Sequence, residues 1–353
     1  MKRFPEFFIE SSGDLERVID SVTAPEEGRP GAAVFLGTPK ALEAGLASKA
    51  SVLVVGAKQK ATAEARRGDR TILVVKSVEW TMAKILNEYF RKTPYRSSTI
   101  TTVHPKATVA GDAKLGEGCI VGPGAFIGAR VALGKNVYVG ANSVIEDGSE
   151  IGDDCTIHPL VFIGSETIMG RGCEIHPNTT VAKEGFGYGH DDKGNHTRIP
   201  HLGRVVLEDD VHIGGGCSID RATFGETRIE RGAKLDNQIH LAHNCSIGRN
   251  SLVTAGFMSA GSTKIGANFM SGGGAVTTGH IEICDNVQIG GFSAVSKSIS
   301  TPGQYGGNPL QPLQQFLKTK AAMTHLPEMR RQIKLIMKHL GLSDASSESA
   351  NEN

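Results

Sequence analysis

The sequence predicts a parallel β-helix made of hexapeptide repeats, preceded by a small α/β domain and followed by helices. From Val103 to Val181, an aliphatic residue recurs at every sixth position, fourteen times without a break. Neither an α-helix, with a period of about 3.6 residues, nor a half-buried strand, with a period of about 2, gives this spacing. A strict period of six is typical of a parallel β-helix, in which three short strands form one triangular coil. Coils of this hexapeptide type are left-handed, against the usual rule for parallel crossovers.

Glycine directly follows eight of the fourteen aliphatic residues, and we expect it to help the chain through tight corners. Two segments interrupt the repeat. Residues 183–206 do not keep the register, so they should include a loop that leaves the prism, and residues 220–228 carry a few extra residues. Insertions in solenoid proteins usually lie on one side and often border the binding site.

The repeat continues between the two interruptions and again after them, from Ile229 to Val295. Three polar residues, Ser259, Ser271 and Thr277, occupy positions of this last run that should point inward. The register is therefore less strongly determined there. The segments together predict about ten coils of three hexapeptides each.

The first part of the chain has a different pattern. Residues 1–100 alternate short apolar runs rich in β-branched residues with stretches typical of helices, which predicts a small α/β domain. The apolar runs are 32–37, 51–56 and 71–76. The β-helix itself should occupy residues 101–305.

The sequence after the repeat changes again. We expect residues 306–341 to form two C-terminal helices, at about 310–324 and 327–340, because Pro327 is well placed to open the second one. That second helix carries an apolar stripe and four basic residues, which suit either packing or the docking of an acidic protein. Residues 342–353 have the composition of a disordered tail.

Composition excludes several classes of protein. The formal net charge is +1, which argues against nucleic acid as the main partner. The N-terminal residues reach acidic side chains before any apolar run of signal length, and no apolar stretch approaches 18 residues. We therefore expect a cytoplasmic protein with no transmembrane segment.

The cysteines predict no metal site. Five of the six lie two residues before an inward aliphatic position, where a small side chain fits, and none forms a Cys-x-x-Cys pair. We interpret them as structural thiols of a reducing compartment.

The candidate catalytic residues are histidines in the later coils. His240 and His243 lie in the segment 236–248, and His280 follows 37 residues after His243. Since 37 residues are two coils of 18 plus one, His243 and His280 should project from nearly the same side, two layers apart. A histidine close to a substrate amine or hydroxyl can take its proton as that group attacks an acyl carbonyl. The alternative is that each is an ordinary surface histidine.

A set of short motifs resembles one enzyme family, the UDP-3-O-(3-hydroxyacyl)glucosamine N-acyltransferases of lipid A biosynthesis. The order and spacing of these motifs fit the family over about residues 100–305, and the domain plan fits the whole chain. The motifs are GFGY (185–188), IPHLGRV (199–205), IDRAT (219–223), LDNQ (235–238), AHN (242–244), MSAGS (258–262), GHIEICD (279–285) and PGQY (302–305).

The resemblance implies three residues at the reaction centre. His243 corresponds to the general base that takes a proton from the glucosamine 2-amine. Gly261 corresponds to a glycine whose N–H holds the developing oxyanion. His280 corresponds to a second histidine near the sugar and phosphates.

The resemblance also implies substrate-binding residues. Those near the base are Asn237, Gln238, His240 and Asn244. In the first domain, relatives carry an F-x-x-N-x-x-Y pattern that binds uracil. Here the same positions hold Phe35, Thr38 and Ala41, so the aromatic residue is present and the asparagine and tyrosine are replaced.

One position concerns acyl length. The segment GGFSAVSKS (290–298) should close the far end of an acyl groove, and Ala294 is small enough to leave room for a longer chain. The alternative is that Ala294 packs inside the prism and never meets the acyl group.

The implied reaction transfers an R-3-hydroxyacyl group from acyl carrier protein to the 2-amine of UDP-3-O-acyl-glucosamine by direct attack on the thioester. It needs no acyl-enzyme, no metal and no cofactor beyond the phosphopantetheine of the carrier. The resemblance further implies a homotrimer with each site between two chains.

Other interpretations remain open. They are the UDP-N-acetylglucosamine O-acyltransferase of the preceding step, an acetyl-CoA-dependent hexapeptide acetyltransferase, and a γ-type carbonic anhydrase with zinc on histidines such as His240 and His243. A solenoid scaffold without catalytic activity is the alternative outside the enzymes.

Overall fold

The strands of the first part of the chain form one five-stranded sheet. The computed structural model describes residues 4–90, 103–307 and 312–342, and the chain divides into two compact units, Met1–Arg96 and Ser97–Asn353. In the first unit the strand order is β1-β5-β4-β3-β2, with β1 antiparallel to β5 and the other pairs parallel. The strands are β1 Phe8–Ser12, β2 Ser21–Val22, β3 Ala32–Leu36, β4 Val52–Gly56 and β5 Thr71–Val75.

Three α-helices accompany this sheet, α1 Pro39–Ala47, α2 Lys60–Ala65 and α3 Val78–Ile85. Apolar residues of β3, β4 and β5 form two buried clusters, one on each side of the sheet. The three predicted apolar runs thus became the three central strands. The two edge strands were missed because their residues are mixed in polarity and only partly buried.

The second unit contains the β-helix, whose strands form three parallel sheets that we call the first, second and third faces. The first face contains Thr108–Val109, Phe126–Ile127, Val144–Ile145, Phe162–Ile163, Thr180–Lys183, Ser218–Asp220, His240–Leu241, Met258–Ser259, Val276–Thr277 and Ala294–Val295. The second contains Lys114–Leu115, Ala132–Leu133, Glu150–Ile151, Ile168–Met169, Arg204–Leu207, Glu226–Ile229, Ser246–Ile247, Lys264–Ile265 and Glu282–Ile283. The third contains Ile120–Val121, Tyr138–Val139, Thr156–Ile157, Glu174–Ile175, His212–Ile213, Lys234–Leu235, Leu252–Val253, Met270–Ser271, Val287–Ile289 and Gly303–Tyr305. The predicted fold class, a left-handed parallel β-helix with an N-terminal α/β part and C-terminal helices, is confirmed.

The inward positions of the repeat form one continuous core along the prism. Each inward residue pairs with the residue one coil later, as Ile127 does with Ile145. The register also continues through the polar inward positions, because Ser259 and Thr277 are buried and their hydroxyl oxygens lie 3.1 Å apart. A hydroxyl that is hydrogen-bonded to another hydroxyl can replace an aliphatic side chain without leaving a polar atom unsatisfied.

The glycines that follow the inward aliphatic residues have a different role from the predicted one. Their φ angles are not positive; the left-handed conformation occurs two residues later, at positions such as Gly118 and Asn136. A Cβ on Gly116 would lie 2.4 Å from the carbonyl oxygen of Gly134, one coil later. Glycine is therefore required because successive backbones approach too closely for a side chain. The expectation that it helps the chain turn the corner was wrong.

Five cysteines are buried in the predicted small slot, and Cys284 is partly exposed. The Sγ of Cys119, for example, lies 3.0 Å from the carbonyl oxygen of Gly134. Burial raises the pKa of the Cys119, Cys217 and Cys245 thiols, which keeps them protonated. These features fit structural thiols.

Both interruptions leave the prism at the same place, the turns that join the first face to the second, which we call the first corner. The longer excursion, residues 184–203, contains an antiparallel hairpin, Tyr188–His190 with Arg198–His196. The shorter one covers residues 221–225. Since each excursion returns to the next strand in register, the first corner carries extra chain while the prism continues unchanged.

Two further helices follow, α4 Leu313–Thr324 and α5 Leu326–His339, and Pro327 lies in the first turn of α5 as predicted. No helix among the described residues is both long and apolar enough to cross a membrane. The predicted disordered tail, apart from Leu342, lies outside the described residues.

Candidate active site

Three predicted catalytic residues lie in consecutive turns of the first corner. Backbone hydrogen bonds stack these turns, from Ser262 N to His243 O (2.9 Å) and from His280 N to Gly261 O (3.0 Å). His243 and His280 therefore lie on one edge of the prism, two coils apart, as their spacing of 37 residues predicted. Gly261 lies on the coil between them.

The orientation of the His243 ring follows from its neighbour Asn244. The side-chain oxygen of Asn244 accepts a hydrogen bond from Thr223 N (3.0 Å), and its nitrogen donates to the carbonyl of Phe224 (2.8 Å). These two contacts direct the Asn244 oxygen toward His243 Nδ1, 3.1 Å away. Because that oxygen can only accept, Nδ1 carries the proton and Nε2 carries the lone pair. The short excursion thus sets the tautomer that a general base requires.

Gly261 provides the space for this ring. A Cβ at Gly261 would lie 2.7 Å from both Cε1 and Nε2 of His243. Gly261 has no positive φ, so the glycine is needed to make room for the imidazole and not for its own backbone conformation.

The same corner also leaves backbone N–H groups open. At several other turns, the N–H of the first turn residue donates to an Asp or Asn one coil later, as Lys135 N does to Asp153 Oδ1 (2.7 Å). The residues that would accept from His243 N and Gly261 N are Gly261 and Gly279, which have no side chain. Within the described residues, neither N–H has a protein acceptor. The site therefore presents backbone donors beside the lone pair of His243.

The long excursion and the strands beside it contain residues to which the sequence pattern assigned no role. His201 is 2% exposed, and its ring meets that of His243 edge-on, with centroids 5.2 Å apart and an interplanar angle of 64°. Buried Asp220 lies 2.5 Å from Lys183 Nζ, which links neighbouring coils where the excursion begins. These residues lie in or beside the motifs GFGY, IPHLGRV and IDRAT, so the motifs marked the region. A six-residue period cannot assign roles to segments that leave the prism.

The electrostatics of His201 follow from its burial. Burial, and then the proximity of His243, lower the pKa of His201 below its ordinary value. Its Nδ1 lies 3.1 Å from the carbonyl oxygen of Ile199, so Nδ1 carries the proton of the neutral ring.

The remaining residues predicted near the base are spread over other parts of the prism. Asn237 and Gln238 form the turn from the third face to the first, and the Asn237 oxygen accepts from Gly215 N (2.8 Å). His240 points outward on the first face, between Ser218 and Met258. One chain therefore groups His243, Asn244, Gly261 and His280, while Asn237, Gln238 and His240 lie elsewhere.

Ala294 is exposed on the first face, where it pairs with Val276. The alternative that it packs inside the prism is wrong. It lies three coils beyond His240 along one line of outward residues, about 14 Å at the usual strand spacing. A cavity of about 450 Å³ adjoins it, lined among others by Phe292, Ser293 and Tyr305.

The first unit contains the two residues predicted to bind uridine. Phe35 is 9% exposed and lines a cavity of about 320 Å³ that is also lined by Leu73, Tyr89 and Arg17. Thr38 caps α1, with its hydroxyl accepting from Ala41 N at 3.2 Å. Both roles in uridine binding stay predictions.

Neither histidine proposed for zinc belongs to the group of potential metal ligands found among the described residues. That group is His158, Glu174 and His176, on the third face and the turns that follow it. Its two imidazoles stack nearly parallel, 4.5 Å apart at 14°, so their in-plane lone pairs do not converge on one ion. Glu174 instead accepts a hydrogen bond from His158 at 2.8 Å. We interpret this group as a hydrogen-bonded packing cluster.

Comparison with known proteins agrees with the motifs. The bacterial transferase hexapeptide (six repeats) model matches residues 130–165 and 148–183. UDP-3-O-acylglucosamine N-acyltransferase of Wolinella succinogenes is 44% identical over 151 residues, 43% of this chain and 48% of the relative. The enzyme of the same name from Methylococcus capsulatus is 38% identical over 166 residues, 47% of each chain. The chain is a homologue of UDP-3-O-acylglucosamine N-acyltransferases over this segment. The family resemblance stated from the motifs is therefore confirmed.

The alignments with these relatives cover only part of each protein. The chain spans about half the length of the curated relatives that it matches. Among solved structures, UDP-N-acetylglucosamine O-acyltransferase from Moraxella catarrhalis overlaps 65% of this chain and 84% of its own, at 23% identity and a TM-score of 0.45.

We predict that Gly261→Ala inactivates the site without unfolding the prism. The new methyl group would displace the His243 ring, and a displacement of about 1 Å can reduce turnover about 100-fold. Turnover and the thermal unfolding midpoint measure the two effects. Gly273→Ala is the matched control, since Gly273 is also a first turn residue and its Cβ would meet nothing closer than 3.3 Å. Wild-type turnover in Gly261→Ala would contradict the role of this glycine.

We also predict a pH-dependent contribution of His201 to stability. Because its pKa is lowered in the folded state, the unfolded chain binds this proton more readily. The contribution is complete above the ordinary pKa of about 6.5 and is lost as pH falls below it. When the pH is lowered from about 7.5 to about 5.5, the urea concentration at the unfolding midpoint should decrease more for wild type than for His201→Gln. An equal decrease in both proteins would contradict the assignment.

Proposed function

We propose that this chain transfers an R-3-hydroxyacyl group from acyl carrier protein to the 2-amine of UDP-3-O-(3-hydroxyacyl)-glucosamine, in lipid A biosynthesis. The stacked turns at the first corner carry the proposal. They place an oriented histidine, open backbone N–H groups and a second histidine along one edge of the prism. Homologues at 38–44% identity that are named for this reaction support it.

In the proposed mechanism, His243 Nε2 takes a proton from the 2-amine as the amine nitrogen attacks the thioester carbonyl. The C–N bond forms, the C–S bond breaks, and His243 returns the proton to the leaving thiolate of the carrier. The Asn244 oxygen stabilises the intermediate imidazolium through Nδ1–H. General base catalysis of this kind contributes about 10²–10⁴ to the rate.

Gly261 N–H is the proposed donor to the oxyanion. It is open because the next coil has Gly279 where several other turns have Asp or Asn. A preorganised backbone donor costs no rearrangement when the negative charge develops, and its removal from comparable sites costs about 10²–10³ in turnover. His280, one coil further along the edge, is proposed to bind the sugar and phosphates.

The other substrate contacts extend the proposal. Phe35 and Thr38 would bind the uridine, while Asn237, Gln238 and His240 would contact the sugar nucleotide in a homotrimer with each site between two chains. The cytoplasm is the proposed compartment. The two reactions differ in the acyl acceptor, which is the 2-amine of UDP-3-O-acyl-glucosamine in this proposal and UDP-N-acetylglucosamine in the O-acyltransferase alternative.

The carrier protein is proposed to dock on the C-terminal helices. The helix α5 exposes the apolar residues Met329, Ile333 and Ile336 together with basic side chains. Acyl carrier proteins are acidic, so the basic side chains suit them, and complementary charge mainly raises the rate of association. No acyl-enzyme, metal or further cofactor is part of the proposal.

We predict that wild type forms the 2,3-diacyl sugar nucleotide from 3-hydroxyacyl carrier protein and UDP-3-O-acyl-glucosamine, and that His243→Ala lowers turnover by about 10²–10⁴. Mass spectrometry of the product measures this. Acetyl-CoA as donor and UDP-N-acetylglucosamine as acceptor test the two alternative acyltransferases.

His104→Ala is the control, because His104 lies in the first coil and contacts Lys106 N. The control should keep wild-type turnover. More than about half of wild-type activity in His243→Ala would remove His243 as the base, and transfer only to an alternative substrate would replace the proposed reaction.

We predict that Ala294→Met shifts preference toward shorter 3-hydroxyacyl donors. Its side chain would occupy the line of outward residues on the first face where we place the acyl chain. Each buried methylene is worth about 0.8 kcal/mol, or roughly a fourfold change in preference. Competition between donors of different length measures the ratio. Gln288→Met, outward on the third face of the same coil, should leave it unchanged. Equal ratios for Ala294→Met and wild type would exclude Ala294 as a length determinant.

A further inference from the structure

His201 is a buried histidine with an unused acceptor atom. It belongs to an excursion from the prism, where most side chains are exposed, yet only 2% of its surface is accessible. Its Nε2 is buried and has no hydrogen-bond partner among the described residues. Leaving a buried acceptor unsatisfied is energetically costly, so a binding partner for this atom is expected.

The protonation state of the ring identifies that atom as an acceptor. The carbonyl oxygen of Ile199 can only accept, so the hydrogen of the neutral ring lies on Nδ1. The lone pair therefore lies on Nε2. A group that satisfies it must donate through N–H or O–H.

Two glycines lie close against this ring. A Cβ on Gly185 would lie 3.0 Å from His201 Nε2 and 3.3 Å from His243 Cβ, and a Cβ on Gly187 would lie 2.9 Å from His201 Cε1. Glycine at these two positions therefore keeps a Cβ from pressing on the ring, and the surroundings of Nε2 adjoin His243.

The same ring also limits the movement of the base. His201 meets His243 edge-on at 5.2 Å, while Asn244 holds His243 Nδ1 at 3.1 Å. One contact fixes the plane of the imidazole and the other fixes its rotation.

We propose that His201 positions His243 and binds the sugar acceptor. Its ring holds the imidazole of His243, and its Nε2 accepts a hydrogen bond from an N–H or O–H group of the sugar. The inference rests on the proposed function, since it assigns a further residue to the same site.

Two substitutions separate the two roles. His201→Phe keeps a ring against His243 and removes the acceptor, so the KM for the sugar nucleotide should rise about tenfold with kcat within about threefold of wild type. His201→Gln keeps an acceptor oxygen and removes the ring, so kcat should fall about tenfold with KM near the wild-type value. A purely structural role would not divide KM from kcat in this way.

The control is His196→Phe in the exposed hairpin of the same excursion, which should keep both constants. Thermal unfolding identifies variants that fail to fold, and His201→Leu replaces His201→Phe if the latter does. A folded Phe or Leu variant with KM within twofold of wild type overturns the binding role. A folded His201→Gln protein with wild-type kcat overturns the positioning role.

Failure of the proposed function has a different result from failure of this inference. If wild type transfers no acyl group to the sugar nucleotide, the proposed reaction itself is wrong. If wild type is active and every folded His201 variant has wild-type constants, only the role of His201 is wrong.

Discussion

The close stacking of one coil on the next is the constraint on which the rest of this structure depends. Backbone N–H groups of each coil donate to carbonyls of the following coil at 2.6–3.3 Å, as from Gly128 to Ile145 and from Gly140 to Ile157. This contact places residues 18 apart directly above one another, requires glycine after many inward residues, and turns a linear spacing into a column of side chains. The column at the first corner is the candidate site.

A corner of the prism suits acid–base chemistry because it combines rigidity with open backbone groups. Strand N–H groups donate to the next coil, but first turn residues keep a donor that an Asp or Asn of the next coil binds at several turns. Where the first turn residue of the next coil is glycine, the N–H group stays open and there is room for an aromatic ring beside it. Gly261 gives the His243 ring its room, and Gly279 in the next coil leaves the N–H of Gly261 open.

The sequence predicted the parts of the fold that repeat. The inward series from Val103 gave the register of the prism, and the spacing between His243 and His280 gave their shared edge, since periodicity directly encodes which residues stack. The glycine role was misassigned because a hexapeptide pattern shows where a small residue is needed and not whether a backbone angle or a neighbouring coil requires it.

The excursions were located but not explained. The orientation of Asn244 by Thr223 and Phe224, and the contact of His201 with His243, join turn residues of the repeat to loop residues about 20 and 42 positions away. Such contacts depend on the path of an irregular loop, for which the local sequence contains no period. The edge strands Phe8–Ser12 and Ser21–Val22 were missed for a related reason, as short half-buried strands have little apolar pattern.

Each excursion returns to the corner that it left. Changes in the loops and changes on the first face of the prism are therefore independent of each other. A loop that leaves one strand and rejoins the next in register can vary in length and composition without shifting any coil. The line of outward residues on the first face can likewise vary residue by residue without altering the loop. The proposed recognition of the sugar and the proposed selection of the acyl chain can therefore diverge independently during evolution, on a prism whose register depends on neither.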